Sequence, residues 1–571
     1  MTTRLIRQEI VAEIDGEDNR VIGGTITLDS LAVPYGAAQI ELPLTASSSL
    51  DDLDPRDDAR IVIRAQDLEA SPPVLRTFDL GIRSRTVDYI TQTVSISCAT
   101  DEALLDDYAT LTEDSSAIPL QGSLRAVVNH VLAQVTGAAL KPGDPDFDFT
   151  TFEDADQQLV NSGMRINVAG WRYSTGAGSF DATVRAPVVI PQEPEIKFGV
   201  AVYGLGAAAA GVGMYNWGGG QSGTGLVSVT PGDHLYGSAW ILMSAAASVR
   251  FNWEFSDASG AGGSSIGGPA IAVPANTWTK VSSDVIVPAG KARLAVYCYT
   301  STATPAGLGF TLAAPLVTKV RAGLPWFDGD VPDTPTYLYQ WAGTPSQSKS
   351  TRTALIDRPP ELLVWKPGVT AWEFLDPLMS AAGMRLYCDE SRVWRMVVPA
   401  DLEVPGVVRL SGSNAIAASD TITREDPDVF ATGVVIRYVW NDETDTPRTA
   451  YDSAGTPDVV VVLDYARAYP GPGAAAAVLA RRNGTGRTQD VDAATEWGTT
   501  PAQTASLTFP PAPEQQGKLS SVRFSLGDDA VMTIGTRGLI DIPPGSWFAW
   551  TPADQAWTAV ADGVTWISLP A

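Results

Sequence analysis

The chain has 571 residues, 44% of them hydrophobic and 18% charged, enough for three or four domains with cores of their own. A formal charge of −26 sets it against phosphate backbones and excludes nucleic acid as a specific partner. Three widely separated cysteines, Cys98, Cys298 and Cys388, give neither a disulfide framework nor metal-ligand spacing.

The N-terminal MTTRLIRQEIVAEIDG has no apolar h-region, so no secretory leader is expected, and no apolar run is long enough for a membrane span. Residues 1–100 then read as strands: RLIRQEIVAEI, TITLDS, AAQIELPL, RIVIRAQ, FDLGIRSRTVDY and TQTVSISCAT. Many alternate apolar with polar residues, the period of a half-buried sheet. DEALLDDYATL (101–111) predicts a short helix whose acidic first turn suits the positive end of the helix dipole. A firmer helix follows over 123–137, with Ser123 as N-cap, Gly137 as stop and one stripe of Leu124, Val127, Val128, Val131, Leu132 and Val135.

Residues 141–160 are an acidic, turn-rich connector. From about 160 to 320 charges thin out and Gly, Ala, Ser and aromatics take over. KFGVAVYGL, GLVSVTPGDHLYGSAWILMS, ASVRFNWEFSDASG, TWTKVSSDVIVPAG, KARLAVYCYT and GLGFTLAAPLVTKV are short strands separated by turns, the spacing of a β-sandwich or jelly roll. LPWFDGDVPDTPTYLYQWAGTPSQSKST (324–351) is rich in aromatics, acids and turn residues. A second helix over 371–383 contains Pro377, where it kinks or starts afresh, and MRLYCDESRVWRMVVP reads as a hairpin. SLRAVVNHVLAQVTGAAL and TAWEFLDPLMSAAGMRLY share one design of helix, glycine and apolar strand, as two related subdomains on either side of an insertion would. Strands resume over 424–571, in FATGVVIRYVW, DVVVVLDYA, TASLTF, AVMTIGTRGLIDI and TAVADGVTWISLP, broken by an alanine-rich helix from 473 to about 482.

Catalytic signals are sparse. The two histidines, His130 on a helix face and His234 in a PGDHLYG turn, have no Cys or second His at ligand spacing, and a Ser-His-Asp triad would have to use one of them. GSSIG (263–267) matches the letters of a nucleophile elbow, but no helix follows it. GVGMYNWGGGQSGTG (211–225) lacks the strand–loop–helix context of a phosphate cradle. Neither catalytic nor metal-binding residues are assigned. DPDFD (144–148) and DGD (328–330) carry hard oxygen ligands, which leaves a structural calcium ion in the sandwich as an open expectation. Carboxylates are abundant, but nothing local raises one pKa above its neighbour's. The sandwich strands offer more. Arg250, Asn252 and Glu254 share one face of VRFNWEF, Arg293, Tyr297 and Tyr299 one face of RLAVYCY, and Tyr236 and Trp240 one face of YGSAW. Flat aromatics beside guanidinium and amide groups are what a sugar-binding platform uses.

These residues carry a resemblance. Leu159-Val-Asn161 followed by Trp171, TPGDHLYGSAWI, VRFNWEFSDASG and NTWTKVS followed by VPAG resemble the carbohydrate-binding-module-like jelly rolls of bacteriophage tail proteins. WFDGD…YLYQWAGTPSQSKST looks like the ordered exit of that module in minor tail proteins of siphophages of actinobacteria. The flanking FDLGIRSRTVDY…TVSISCATDEALLDDYA and ITREDPDVFATGVVIRYVW are similar to the hubs of phage tail ends, and residues 485–571 match least. Eight lysines against 31 arginines fit a GC-rich genome.

The resemblance implies a mainly β chain with two barrel-like hub subdomains of α+β character and an inserted β-sandwich (jelly roll). The expected divisions are 1–152 (N-terminal hub part), 153–345 (inserted module), 346–485 (second hub part) and 486–571 (C-terminal β-rich part). It implies a structural, non-enzymatic component of the virion tail tip, without cofactor. Its partners would be two further copies in a homotrimer, the distal tail ring, tape measure and fibre or tip proteins, and host cell-wall glycan. Two alternatives remain. A cell-wall glycan hydrolase with an appended module would need a nucleophile the sequence does not offer, and a free-standing secreted adhesin would need an export signal.

Overall fold

In the computed structural model the chain is described over residues 8–14, 16–44, 50–68, 74–174, 179–180, 183–208, 210–216, 227–319, 324–356, 358–399, 404–424, 430–441, 446–483, 487–527 and 529–542. It forms two compact units, one of residues 1–151 together with 358–571 and the other of residues 152–357. The architecture is mainly β.

The first unit is built on a sheet to which both ends of the chain contribute. Its N-terminal strands are β1 (Gln8–Ile14), β2 (Glu17–Arg20), β3 (Gly23–Asp29), β4 (Gly36–Pro43), β5 (Arg60–Asp67), β6 (Val74–Asp88) and β7 (Thr93–Ala99). In β4 and β5 buried residues alternate with more exposed ones, as the sequence period requires. The order is β2-β1-β5-β6-β7-β4-β3, and β3 then pairs with Gln515–Ser525, which leads to Val531–Asp541, Arg487–Ala494 and Ala415–Ile422.

Each half is wrapped by one bent strand. β2 pairs with β1, and three residues later β3 pairs with β4. At the bend Val21 N donates to Ile10 O and Ile22 N to Glu41 O. Gly24, at φ +127°, permits the crossing, because a Cβ there would lie 2.1 Å from Gln39 O. In the C-terminal half, Val407–Ser411 pairs with Thr504–Thr508 while its continuation Ala415–Ile422 pairs with Arg487–Ala494. Both halves are therefore barrel-like curls, although the ladder path as a whole stays open among the described residues. One apolar cluster runs through both, from Ile26, Ile63 and Phe78 to Val522, Phe524 and Ile534. Arg76 clamps the seam. It pairs with Glu390 at 2.6 Å, donates to Trp497 O and Thr499 O, and lies over the rings of Phe78 and Phe524.

A second core gathers the helices α1 (Glu102–Asp107), α2 (Leu124–Val135), α3 (Ala371–Ala381) and α4 (Ala474–Asn483) with the hairpin 385–397 and a small sheet around Gly433–Asn441. α2 follows its sequence signals: Ser123 Oγ accepts from Ala126 N at 3.1 Å, Gly137 takes φ +69°, and Leu124, Val127, Val128, Val131 and Leu132 are buried. α1 is shorter than predicted, because the chain leaves it at Tyr108 for a bridge from Ala109 to Thr370. α3 runs unbroken through Pro377 behind a Thr370–Glu373 capping box. Proline has no N–H for the carbonyl four residues back. That carbonyl, Glu373 O, instead accepts from Arg467 Nη1, while Arg467 Nη2 reaches Phe374 O.

The second unit is a sandwich of two antiparallel sheets. One contains Trp171–Ser174, Gly213–Asn216, Arg293–Thr300, Ala247–Ser256 and Ser264–Gly267 in that order; the other contains Phe198–Leu205, Leu308–Thr318, His234–Met243 and Thr279–Ile286. Val249, Phe251, Trp253 and Phe255 point into the interface with Leu235, Ala239 and Ile241. Gly237 leaves room for this packing, since a Cβ would lie 2.3 Å from the Phe251 ring and 2.7 Å from Trp253.

The aromatic and acidic segment at 324–351 is an ordered part of this unit. Asp328, fully buried, takes a bidentate ion pair from Arg165 at 2.7 and 2.9 Å. Gly329 lets Trp341 approach, and Trp341 Nε1 donates to Asp330 Oδ1 at 2.9 Å. Tyr337–Trp341 pairs with Ser350–Ala354, which pairs with Ala155–Gln157. The buried Arg352 donates to Glu153 O with its guanidinium 4.2 Å from the Tyr337 ring centroid. Entry and exit of the module thus share one ladder.

Replacing Arg467 by Met strips Glu373 O of its donor and is expected to cost about 1–3 kcal/mol. The cost should shrink in a Pro377→Ala background, where residue 377 again offers an N–H; equal costs in both backgrounds, measured by urea unfolding, would contradict the assignment. Arg165→Ala leaves the Asp328 carboxylate buried without its cation, for an expected loss of about 3–5 kcal/mol. Calorimetry should then show one transition moved to lower temperature, and an unmoved trace would refute the role.

Candidate functional site

The structure gathers six of the eight platform residues on the outer face of one sandwich sheet. Ala247–Ser256 and Arg293–Thr300 pair so that Arg250 stands opposite Tyr299, Asn252 opposite Tyr297 and Ser256 opposite Arg293, with Glu254 on the same face. Tyr297 and Tyr299 stack at 5.0 Å and 26°. The row continues outward, with Tyr297 opposite Tyr215 and Tyr215 opposite Arg172; the Tyr215 ring meets Tyr297 edge-on at 5.8 Å and 90°.

Hydrogen bonds fix these groups. Asn252, only 1% exposed, donates to Glu254 Oε1 at 2.6 Å and to Ser265 Oγ at 2.9 Å. Tyr297 OH donates to Gly211 O at 2.7 Å, and Arg250 Nη1 to Gly268 O at 3.1 Å. Burial, above all, raises the Tyr297 phenol above its ordinary pKa, so it stays a neutral donor. A preset surface of rings, guanidinium and carboxylate, braced by the buried Asn252 amide, suits a neutral polyhydroxylated ligand, whose C–H faces stack on rings and whose hydroxyls both donate and accept.

Tyr236 and Trp240 stand elsewhere. They lie on the other sheet, whose His234–Met243 strand turns them away from the sandwich core, and both are buried with Ile190, Ile196, Leu324, Trp326 and Phe327. The segment that follows the last sandwich strand covers them, so they do not join the other six. Tyr215 and Arg172 were missed by sequence reasoning. Tyr215 falls in the glycine-rich stretch 211–225, read as a loop, yet Gly213–Asn216 is a strand; residues 217–225 of that stretch lie outside the described residues. The alternation in GMYN was the available signal.

The other chemical candidates are occupied. His130 Nε2 sits 2.7 Å from Ser116 Oγ, but Asp114 accepts from that same Ser116 and lies 3.9 Å from the same ring nitrogen. A triad needs its acid on the opposite nitrogen, so this is a capped turn. His234 and Asp284, 3.4 Å apart, are both exposed. The GSSIG serine, Ser265, lies in the edge strand Ser264–Gly267 and bonds Asn252, away from any strand-to-helix elbow. Asp144 is bound by Arg395 and Met396 N, Asp146 by Ser123 and Arg125 N, and Asp328 by Arg165. Among the described residues no three His, Cys, Asp or Glu side chains gather as a metal would require, which leaves the calcium expectation without a ligand set there. Cys98, Cys298 and Cys388 are buried free thiols, and burial pushes Cys98 up to about 12. No helix among the described residues is long and apolar enough to cross a membrane.

No family model and no curated protein sequence matches the chain. Among solved structures it is similar to the 43 kDa tail protein of prophage MuSo2 from Shewanella oneidensis, at 9% identity over 93% of this chain and 98% of that one, with a TM-score of 0.38. It is similar to the tail protein from Neisseria meningitidis MC58, at 9% identity over 93% and 96%, with a TM-score of 0.36. Part of it, 30%, is similar to 97% of the CBM22-1 xylan-binding domain from Paenibacillus barcinonensis Xyn10C, at 18% identity and a TM-score of 0.22.

One carboxylate does have the perturbed setting that the sequence conceals. Glu102 is fully buried, accepts from Tyr35 N and Thr100 Oγ1, and keeps Oε1 unpartnered. Burial drives its pKa up to about 7 against the pull of Arg385. Its neighbour Asp101 is held by Arg60 at 2.7 Å and Arg392 at 2.9 Å. A group so enclosed touches no substrate, and its effect is on stability. The folded state binds the proton more tightly than the unfolded state, so the contribution is full below about pH 4.5 and is lost as pH rises to about 7. Glu102→Gln should flatten roughly 3 kcal/mol of that slope, and parallel stability–pH curves for the two proteins would contradict it.

Proposed function

We propose that this chain is the hub of a bacteriophage tail tip, three copies of which close into a ring that joins tail tube to tip, with the inserted sandwich presenting its tyrosine face to host cell-wall glycan. The observation that carries the reading is the doubled construction of the first unit. Two barrel-like curls, one from each end of the chain and each wrapped by a bent strand, share the ladder of β3 with Gln515–Ser525. Three such chains present six similar pieces around one axis, which lets a three-fold component abut a six-fold tube. The resemblance of the module's strands and exit segment to phage tail modules points the same way. In this reading the chain turns over no substrate and is delivered as part of the virion.

Electron-microscopy averages of the purified chain and of the particle should show three-fold rings, and six-fold averages or single subunits would overturn the hub assignment. On a glycan array the full chain should bind wall-derived oligosaccharides, and Tyr299→Ala should weaken that binding at least tenfold, the loss of about 1.4 kcal/mol of stacking. Equal binding by the variant, or none by the native chain, would remove the glycan role while leaving the ring.

A further inference from the structure

The first unit carries two surface features of opposite character. One is a knob. The β6–β7 hairpin ends in a turn at 89–92 where Ile90 is 94% and Tyr89 69% exposed. The tip is stiff: Asp88 Oδ1 accepts from Ile90 N at 2.7 Å and Thr91 N at 3.1 Å, Gln92 Nε2 donates to Tyr89 O at 2.6 Å, and Leu44 N bonds Gln92 O at 2.8 Å. Two large apolar side chains held rigidly in water have the character of a contact, since little ordering is left to oppose their burial.

The other is a groove of about 760 Å³ between the end of α3, α4 and the strands Gln515–Ser525 and Val531–Asp541. Ala382, Gly383, Ala476 and Ala480 line it, so backbone lies close to the surface. Lys518 and Arg537, opposite each other in register, form one wall. Neither side chain makes a hydrogen bond or ion pair among the described residues, although the protein carries 65 carboxylates against 39 Lys and Arg. Burial holds the Arg537 guanidinium below its ordinary pKa, with only the Asp29 charge opposing.

We propose that the Tyr89–Ile90 knob of one copy seats in this groove of the next copy, with Asp88 of the knob facing Lys518 and Arg537. The occupant is a second copy because the charges fit. A chain at −26 repels its own kind, and a cationic wall that meets a carboxylate offsets that repulsion locally. Knob and groove are different patches, so the contact is head-to-tail and generates a ring where the rotation closes. The inference rests on the hub reading and names the contact that would build its ring.

The test uses the full-length chain and two surface variants, Ile90→Asp, which disables the knob, and Ala480→Trp, which fills the groove, each checked for native circular dichroism. Lys518→Glu replaces Ala480→Trp if the latter misfolds. Mass photometry should find the native chain as a closed oligomer and each variant alone as a monomer. An equimolar mixture should form a one-to-one pair, because the Ala480→Trp copy keeps a knob and the Ile90→Asp copy keeps a groove. Variants that retain the native mass, or monomeric variants that fail to pair on mixing, overturn the knob-and-groove contact and leave the hub standing. A native chain that stays monomeric at every concentration overturns both.

Discussion

Everything in the first unit depends on one ladder. Thr25 to Asp29 pair with Ser525 to Ser521, so strands almost five hundred residues apart in sequence join the two curls into one sheet with one apolar cluster. Closing so long a loop costs only a slowly growing entropy, and the shared apolar cluster offsets it. Phe78 from the first half meets Trp497 and Phe524 from the second, the last two stacked at 4.8 Å. The intervening sandwich has its own core, so in its folded form it shortens the loop that the ladder closes.

Arginine does much of the joining. Arg76 fastens β6 to the C-terminal half, Arg60 and Arg392 converge on Asp101, and Arg467 completes α3. A planar fork with several donors satisfies carboxylates and stray carbonyls at once, which an ammonium does less well. The excess of arginine over lysine in this acidic chain is thus matched by the geometry, whatever set the genomic composition.

What was legible in the sequence was local. The Ser123 cap, the α2 stripe and the alternation of β4, β5 and Ala247–Ser256 all follow from periods of a few residues, and the structure repeats them. The face shared by Arg250, Asn252 and Glu254 was readable for the same reason. What failed was anything set by distant chain. Tyr236 and Trp240 alternate as platform residues should, yet Trp326 and Phe327, some ninety residues on, bury them. Glu102 reads as a solvated first-turn acid, but Tyr35 and Thr100 enclose it. Tyr215 was hidden by its glycine neighbours, because composition suggested a loop where pairing made a strand. The strand TAVADGVTWISLP lies outside the described residues.

The arrangement of the sandwich's two ends has an evolutionary corollary. Ser350 to Arg352 lie beside Gln157 to Ala155 in antiparallel register, so the polypeptide leaves the module one strand spacing from where it came in. A short turn could span that gap. The whole of 152–357 is therefore built like a cassette, whose two ends lie close enough together for recombination to exchange or delete it as one piece.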